Sequence, residues 1–274
     1  MRFISHSHRF AEAIISSDTE LSNRYNEFIG ALSSITEEEL IADFELKKAQ
    51  HAQRNTSFKS LTPSINGLLK SRMQQIQGWE SEVDIFNDET GAIGNTEWRL
   101  DFACDDAFCV EVAFNHGEAI AWNLLKPVLS CELNHVQKAV QGKLGIYVCA
   151  TDSMKVAANI DSSSGSFEKV LRYLPPMMNQ LTVPMMIIGL QPFESFKISE
   201  NAEVIHRNEI LDDHWIGNKV CITLNDYSTF IGRATRFVDA TDSATGEAQI
   251  IIERSRRNIK TFNESEIRFI ELHT

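Results

Sequence analysis

The sequence lacks the local signatures of several common chemistries. It has no Walker A loop, no G-x-G-x-x-G fingerprint and no H-E-x-x-H helix, so nucleotide hydrolysis, dinucleotide binding and zinc-peptidase chemistry have no support in it. Five cysteines, Cys104, Cys109, Cys131, Cys149 and Cys221, form no C-x-x-C pair and no metal-ligand spacing. Their odd number, with an N-terminus Met1-Arg-Phe-Ile-Ser-His that has no apolar leader core, leads us to expect reduced thiols and a cytoplasmic location. No run approaches the roughly 18 apolar residues of a membrane span, so no membrane partner is expected. None of the eight histidines stands in a ligand-like pair, and His6 and His8 fall on what reads as a terminal arm. Positive charge is scarce: 26 Lys and Arg against 38 Asp and Glu leave a net charge of −12. That excludes a basic nucleic-acid coat. It leaves room for a local basic cleft, because the field at a phosphate is set by nearby groups.

What is present is the composition of a globular chain. At 274 residues, with 43% apolar and 23% charged residues, the chain can bury a full core and form one large domain or two smaller ones. The informative stretch is Trp98–Leu129. Trp98, Leu100 and Phe102 alternate with Arg99, Asp101 and Ala103, which predicts a strand. Cys104 to Ala107 predicts a tight polar turn. Phe108, Val110 and Val112 then share one face of a second strand, with Glu111 and Ala113 on the other. An apolar helical run begins near Glu118, with Pro127 expected to kink or shorten it. Side chains on one face of paired strands stand close across the sheet. Asp101 and Glu111 can therefore converge, and a hard divalent ion such as magnesium takes one or two carboxylates plus water and substrate phosphate. A half-exposed hairpin with solvated acids fits the same residues.

Helices are predicted on both sides of this hairpin. Upstream, Leu21, Tyr25, Phe28 and Leu32 give one helix face, and the capping box at Thr36 and Glu39 opens a second helix with a basic end at Lys47, Lys48, His51 and Arg54. Those basic residues suit either the helix dipole or a phosphate. Thr62-Pro63 opens a third helix that stops at Gly78. Glu80, Glu82 and Asp84 alternate on a predicted strand. Downstream, buried strands are expected at Gly145–Ala150 and Met185–Leu190, separated by a serine loop, Ser162 to Gly165, and a helix ending at Pro175. Alternating strands and helices predict an α/β fold with a mixed sheet. Phe193 to Asp213 reads as a connector with a short helix. From Trp215 the pattern is all β, and its short strands predict a small barrel. The spacing G-N-K-V-x-I-T-L-N-D-x-S-x-F-x-G at Gly217–Gly232 resembles Sm-like or SH3-like barrels. Arg254, Arg256, Arg257 and Lys260 would form a basic hairpin there, either solvated or contacting phosphate.

L-D-F at 100–102, V-E-V-x-F at 110–114, a polar triplet and a helix together resemble the BglII/BstYI/BamHI group of type II restriction endonucleases, within the PD-(D/E)XK nucleases. G-W-E-S-E-V at Gly78–Val83, S-S-S-G-S-F-E at Ser162–Glu168 and V-P-M-M-I-I-G-L at Val183–Leu190 extend the resemblance in the same order over roughly residues 18–198. It implies a restriction-endonuclease-like mixed sheet over residues 1–205, followed by the small barrel over residues 206–274. It further implies a homodimer on double-stranded DNA and magnesium-dependent hydrolysis at a short palindromic site within a restriction–modification system. Asp101 and Glu111 would hold Mg2+, and Glu82 would add a carboxylate to the metal or the attacking water. Asn115, His116, Ser163 and Ser164 would reach bases, with Arg254, Arg256, Arg257 and Lys260 on DNA phosphates. The sequence departs from the pattern at Ala113, where the relatives carry Glu or Gln and many superfamily members Lys. A methyl group can neither bind metal nor position water, so two expectations stand: a site-specific deoxyribonuclease, or a DNA-binding protein with a nuclease fold that does not cleave.

Overall fold

The computed structural model describes residues 1–86, 98–132, 138–207, 211–255 and 258–273. They form two compact units, Met1–Phe193 and Glu194–Thr274.

The first unit is built on a six-stranded mixed sheet. In chain order its strands are β1 (Phe3–His8), β2 (Glu80–Asp84), β3 (Arg99–Cys104), β4 (Phe108–Val112), β5 (Leu144–Ala150) and β6 (Met185–Leu190), and in space they run β1-β6-β5-β4-β3-β2. Strands β4, β5 and β6 are parallel; β1, β2 and β3 join by antiparallel pairing. The parallel strands β5 and β6 are buried at every position, which is why their sequences are unbroken apolar runs rather than alternations. The expected mixed α/β sheet is therefore present. The terminal arm is not an arm: Phe3–His8 pairs with Met185–Leu190, and His8 is buried with Nε2 3.0 Å from the Leu181 carbonyl oxygen. Its half-polar alternation hid a strand that lies at the sheet edge.

Helices cover both faces. Helix α1 (Ala11–Ser17) follows β1. Asp18 caps α2 (Thr19–Ser33) by accepting from the Glu20 and Leu21 amides. Helix α3 (Glu37–Gln53) opens with the predicted Thr36–Glu39 capping box, and α4 (Thr62–Met73) with proline in its first turn. Rings of Tyr25 and Phe28 from α2 meet Phe108 and Phe102. Helix α5 (Ile120–Cys131), preceded by a 3-10 turn at Gly117–Ala119, runs through Pro127 to Cys131. With α7 (Phe167–Tyr173) it packs on the opposite, Tyr147 and Ile187, side of the sheet. A Cβ on Gly189 would stand 2.6 Å from the Phe167 ring, so only glycine lets α7 approach β6 this closely. The short helix α6 (Asp152–Ala157) had no counterpart in the sequence pattern.

The second unit opens with a small hairpin, β7 (Phe196–Ile198) and β8 (Val204–His206), where a helical connector was expected. Both strands are three residues long, too short for a periodic signal. A five-stranded antiparallel sheet follows, with β9 (Lys219–Leu224), β10 (Thr229–Val238), β11 (Gln249–Ser255), β12 (Asn258–Asn263) and β13 (Ile267–Leu272) ordered β12-β11-β10-β9-β13. The all-β expectation holds for this segment. The closed Sm-like or SH3-like barrel does not: among the described residues no pairing joins β12 to β13, so the sheet is open. Among the described residues no helix is long and apolar enough to cross a membrane.

A candidate carboxylate active site

The β3–β4 hairpin sets the centre of the site. Phe102 pairs with Val110 and Ala103 with Cys109, and one further step in this register puts Asp101 opposite Glu111. The Asp101 carboxylate is fixed by the hairpin itself, because its Oδ2 accepts the Val112 amide proton at 2.6 Å. That leaves Oδ1 for a ligand. Burial raises the Asp101 pKa, opposed first by the Val112 hydrogen bond and then by the charge of Lys126.

Glu111 is more deeply held, only 4% exposed. Its pKa is pushed up to about 8, first by burial and then by the Asp101 charge, with Lys126 acting in the opposite direction. Lys126 reaches it from α5, donating from Nζ to Oε1 at 2.8 Å. The other oxygen, Oε2, is buried and has no hydrogen-bond partner among the described residues. Buried carboxylate oxygens are rarely orphaned without a reason. Two converging carboxylates with one oxygen fixed and another unpartnered fit a hard cation that brings its own water and substrate oxygens. Among the described residues no group of three or more His, Cys, Asp and Glu side chains is placed to hold a metal ion.

Glu82 completes the acidic edge. The pairs Ser81–Phe102 and Val83–Leu100 bracket it opposite Asp101. Its φ is +55°, a left-handed conformation that is costly for glutamate and is found where the surroundings enforce it. The side chain is exposed and pairs with Lys70 of α4 at 2.6 Å, which holds its carboxyl below the usual range. Glu82, Asp101, Lys70 and Asn66 line one small pocket of about 130 Å³. The structure thus sets Glu82 beside Asp101 at this pocket and Asp101 opposite Glu111, while Glu111 does not line the pocket. Ala113 lies two residues beyond Glu111, 3% exposed, inside the apolar cluster of Ile120, Leu124, Tyr147 and Phe167.

The four expected base-contacting residues also come together. His116 bridges Ser164 in an isolated antiparallel pair, and His116 Nδ1 lies 2.6 Å from Ser163 Oγ. The Gly165 amide donates to the Asn115 carbonyl, and Asn115 Oδ1 accepts from Asn123. Asn115, His116 and Ser163 are exposed, whereas Ser164 is 5% exposed and faces inward. In the second unit Arg254 is exposed beside Lys219 and Arg233, and the Lys260 ammonium sits 5.3 Å from the Phe230 ring centroid. Arg256 and Arg257 lie outside the described residues.

Sequence reasoning missed Lys126 and Lys70. Lys126 carried one signal: it is the sole charged residue in the helix I-A-W-N-L-L-K-P-V-L-S-C, where a lone charge among apolar residues needs a partner.

Known proteins agree with this architecture. Residues 3–190 match the family model described as restriction endonuclease BglII/BglIII. The crystal structure of restriction endonuclease BglII complexed with a DNA 16-mer shares 14% identity over 96% of this chain and 100% of that one, with a TM-score of 0.50, and so shares the fold. Free BglII aligns over the same shares at 15% identity with a TM-score of 0.42. No curated protein matches. With more than half of its length inside the family model, and with a mixed sheet that sets Asp101 against Glu111, the chain belongs to the BglII/BglIII restriction endonuclease family.

Proposed function

We propose that this protein is a magnesium-dependent type II endonuclease that hydrolyses phosphodiester bonds at a short palindrome in double-stranded DNA, acting as a homodimer with one site per strand. The observation that carries the proposal is the opposed Asp101–Glu111 pair, with Glu111 Oε2 buried and unpartnered among the described residues. Asp101 Oδ1 and Glu111 Oε2 would hold the ion. When bound, magnesium would stabilise charge on the scissile phosphate and lower the pKa of its water.

The remaining work falls to the chain. The Val112 amide keeps Asp101 from rotating away. Lys126 offsets the repulsion between the two carboxylates in a site that burial makes unfavourable for either charge. Glu82, once released from Lys70, would orient water at the pocket mouth. Asn115, His116 and Ser163 would contact base edges, with Ser164 holding the loop from beneath. Arg254, Arg256, Arg257 and Lys260 would add phosphate contacts from the second unit, which would act as an accessory module to the endonuclease body; the boundary expected at 205/206 falls inside β8, so the module would begin at Glu194.

Ala113 favours a second function, DNA binding without cleavage, because the position supplies no polar group. One experiment separates the two. Duplexes selected by binding in calcium from a randomised library define the site. Incubation with magnesium then produces discrete ends bearing 5′-phosphate if the protein cleaves, and intact duplex if it only binds. Absence of selective binding would contradict both.

A further inference from the structure

We propose that Lys126 is the catalytic cation of this site, delivered from helix α5 in place of the group that Ala113 lacks. The inference rests on the endonuclease function proposed above and names a residue that the strand motif does not contain.

Three observations converge on it. Lys126 Nζ stands 2.8 Å from Glu111 Oε1, inside the carboxylate centre rather than on the helix exterior. Its side chain is 12% exposed, so an ammonium ion has been carried almost out of water to reach that position. An ammonium has three protons, and Glu111 Oε1 is its one hydrogen-bond acceptor among the described residues. Burying a charge is costly, and a lysine placed only for packing would be replaced at lower cost by an apolar residue. Held by one proton to Glu111, the ammonium retains two donors for an anionic ligand. The strand position that could have supplied a polar group is meanwhile filled by a methyl in the Ile120, Leu124, Tyr147 and Phe167 cluster.

The chemistry is phosphodiester hydrolysis. A water oxygen bonds to phosphorus as the bond from phosphorus to the 3′ oxygen breaks. The water loses a proton to solvent and the 3′ oxygen takes one up, leaving a 5′-phosphate and a 3′-hydroxyl. Negative charge concentrates on the non-bridging oxygens in the transition state. Lys126 donates to one of them and is regenerated unchanged, a preorganised donor aimed at developing charge.

The test uses the full chain, the calcium-selected duplex, and Lys126→Gln, Lys126→Met and Lys126→Arg. Glutamine can keep the hydrogen bond to Glu111 but carries no charge, and methionine keeps only the length. At saturating magnesium both neutral variants should cleave at least about 100-fold more slowly than wild type in single turnover. Arginine should retain a rate much nearer to wild type. Duplex affinity in calcium, and manganese binding measured by calorimetry on the free protein, should change by less than the rate. A melt of each variant identifies any that fails to fold; glutamine preserves the Glu111 contact and decides the matter if methionine unfolds. Wild-type rates in the glutamine variant at saturating magnesium, or a deficit seen only at sub-saturating magnesium and absent once the ion saturates, would overturn the proposal and leave Lys126 as a counter-ion for Glu111. A wild-type protein that binds its duplex but stays inert would overturn it as well, with the family function reduced to binding. Loss of selective binding by the wild type would instead overturn the endonuclease function itself.

Discussion

Each unit of this protein contains a nearly buried lysine–glutamate pair, and the two pairs are chemically different. In the second unit Lys197 meets Glu271, donates also to Thr223 Oγ1 at 2.9 Å, and lies 5.8 Å from the Phe269 ring centroid. In the first unit Lys126 meets Glu111 while Asp101 adds a second negative charge and Glu111 Oε2 has no partner among the described residues. A pair supported by a hydroxyl and a ring is a structural element. A pair with a second carboxylate beside it and an oxygen unpartnered among the described residues has the donor set proposed above for a hard cation. Burial alone does not distinguish them; the completeness of their hydrogen bonding does.

Substitutions separate the pairs most sharply. Asp101→Asn should lower magnesium-dependent cleavage by roughly 10³-fold or more, since the metal's charge stabilisation is worth several kcal/mol, while duplex binding in calcium persists. Unchanged cleavage would remove Asp101 from the chemistry. Glu271→Ala should do the reverse. Leaving Lys197 without its carboxylate should cost about 3–5 kcal/mol of stability, seen as a lower melting temperature, with the cleavage rate of the folded protein unaffected.

A smaller effect concerns pH. Glu111 has a folded pKa of about 8 against an ordinary value of 4.5. The raised value means that folding favours the protonated acid, so the contribution is complete below about 4.5 and is lost as pH rises through 8. Metal-free wild type should therefore lose stability across that window, and Glu111→Gln should not. Melting curves of the two at pH 5 and pH 9 should diverge at the higher pH, with the variant melting later. Parallel curves would show that Glu111 is not strained by its charge. The smallest effect is expected in the second unit: neutralising Arg254 and Lys260 should each reduce the salt slope of DNA binding by about one, and an unchanged slope would leave these residues without a phosphate role.

Much of the fold was legible because periodicity reports burial directly. Strands β3 to β6 and helices α2 to α4 could be read from alternation, apolar runs and caps. β1 was lost because an edge strand is half solvated and looks like an arm. β7, β8 and α6 were lost because three to six residues hold too few periods. Barrel closure depends on pairing between strands that are not neighbours in sequence, and no local pattern encodes that. The site divides in the same way. Asp101 and Glu111 sit on adjacent strands, so pleat and turn length bring them together. Lys126 comes from a helix whose rotation about its axis is fixed by packing on β4 and β5, and that rotation lies beyond any spacing rule.

The decisive measurement is single-turnover digestion, in magnesium, of the duplex that wild type selects in calcium, comparing wild type with Asp101→Asn. Discrete ends with 5′-phosphate from wild type, and intact duplex still bound by the variant, are expected if the Asp101–Glu111 pair is a metal-dependent phosphodiesterase centre. Equal cleavage by both proteins would contradict that assignment.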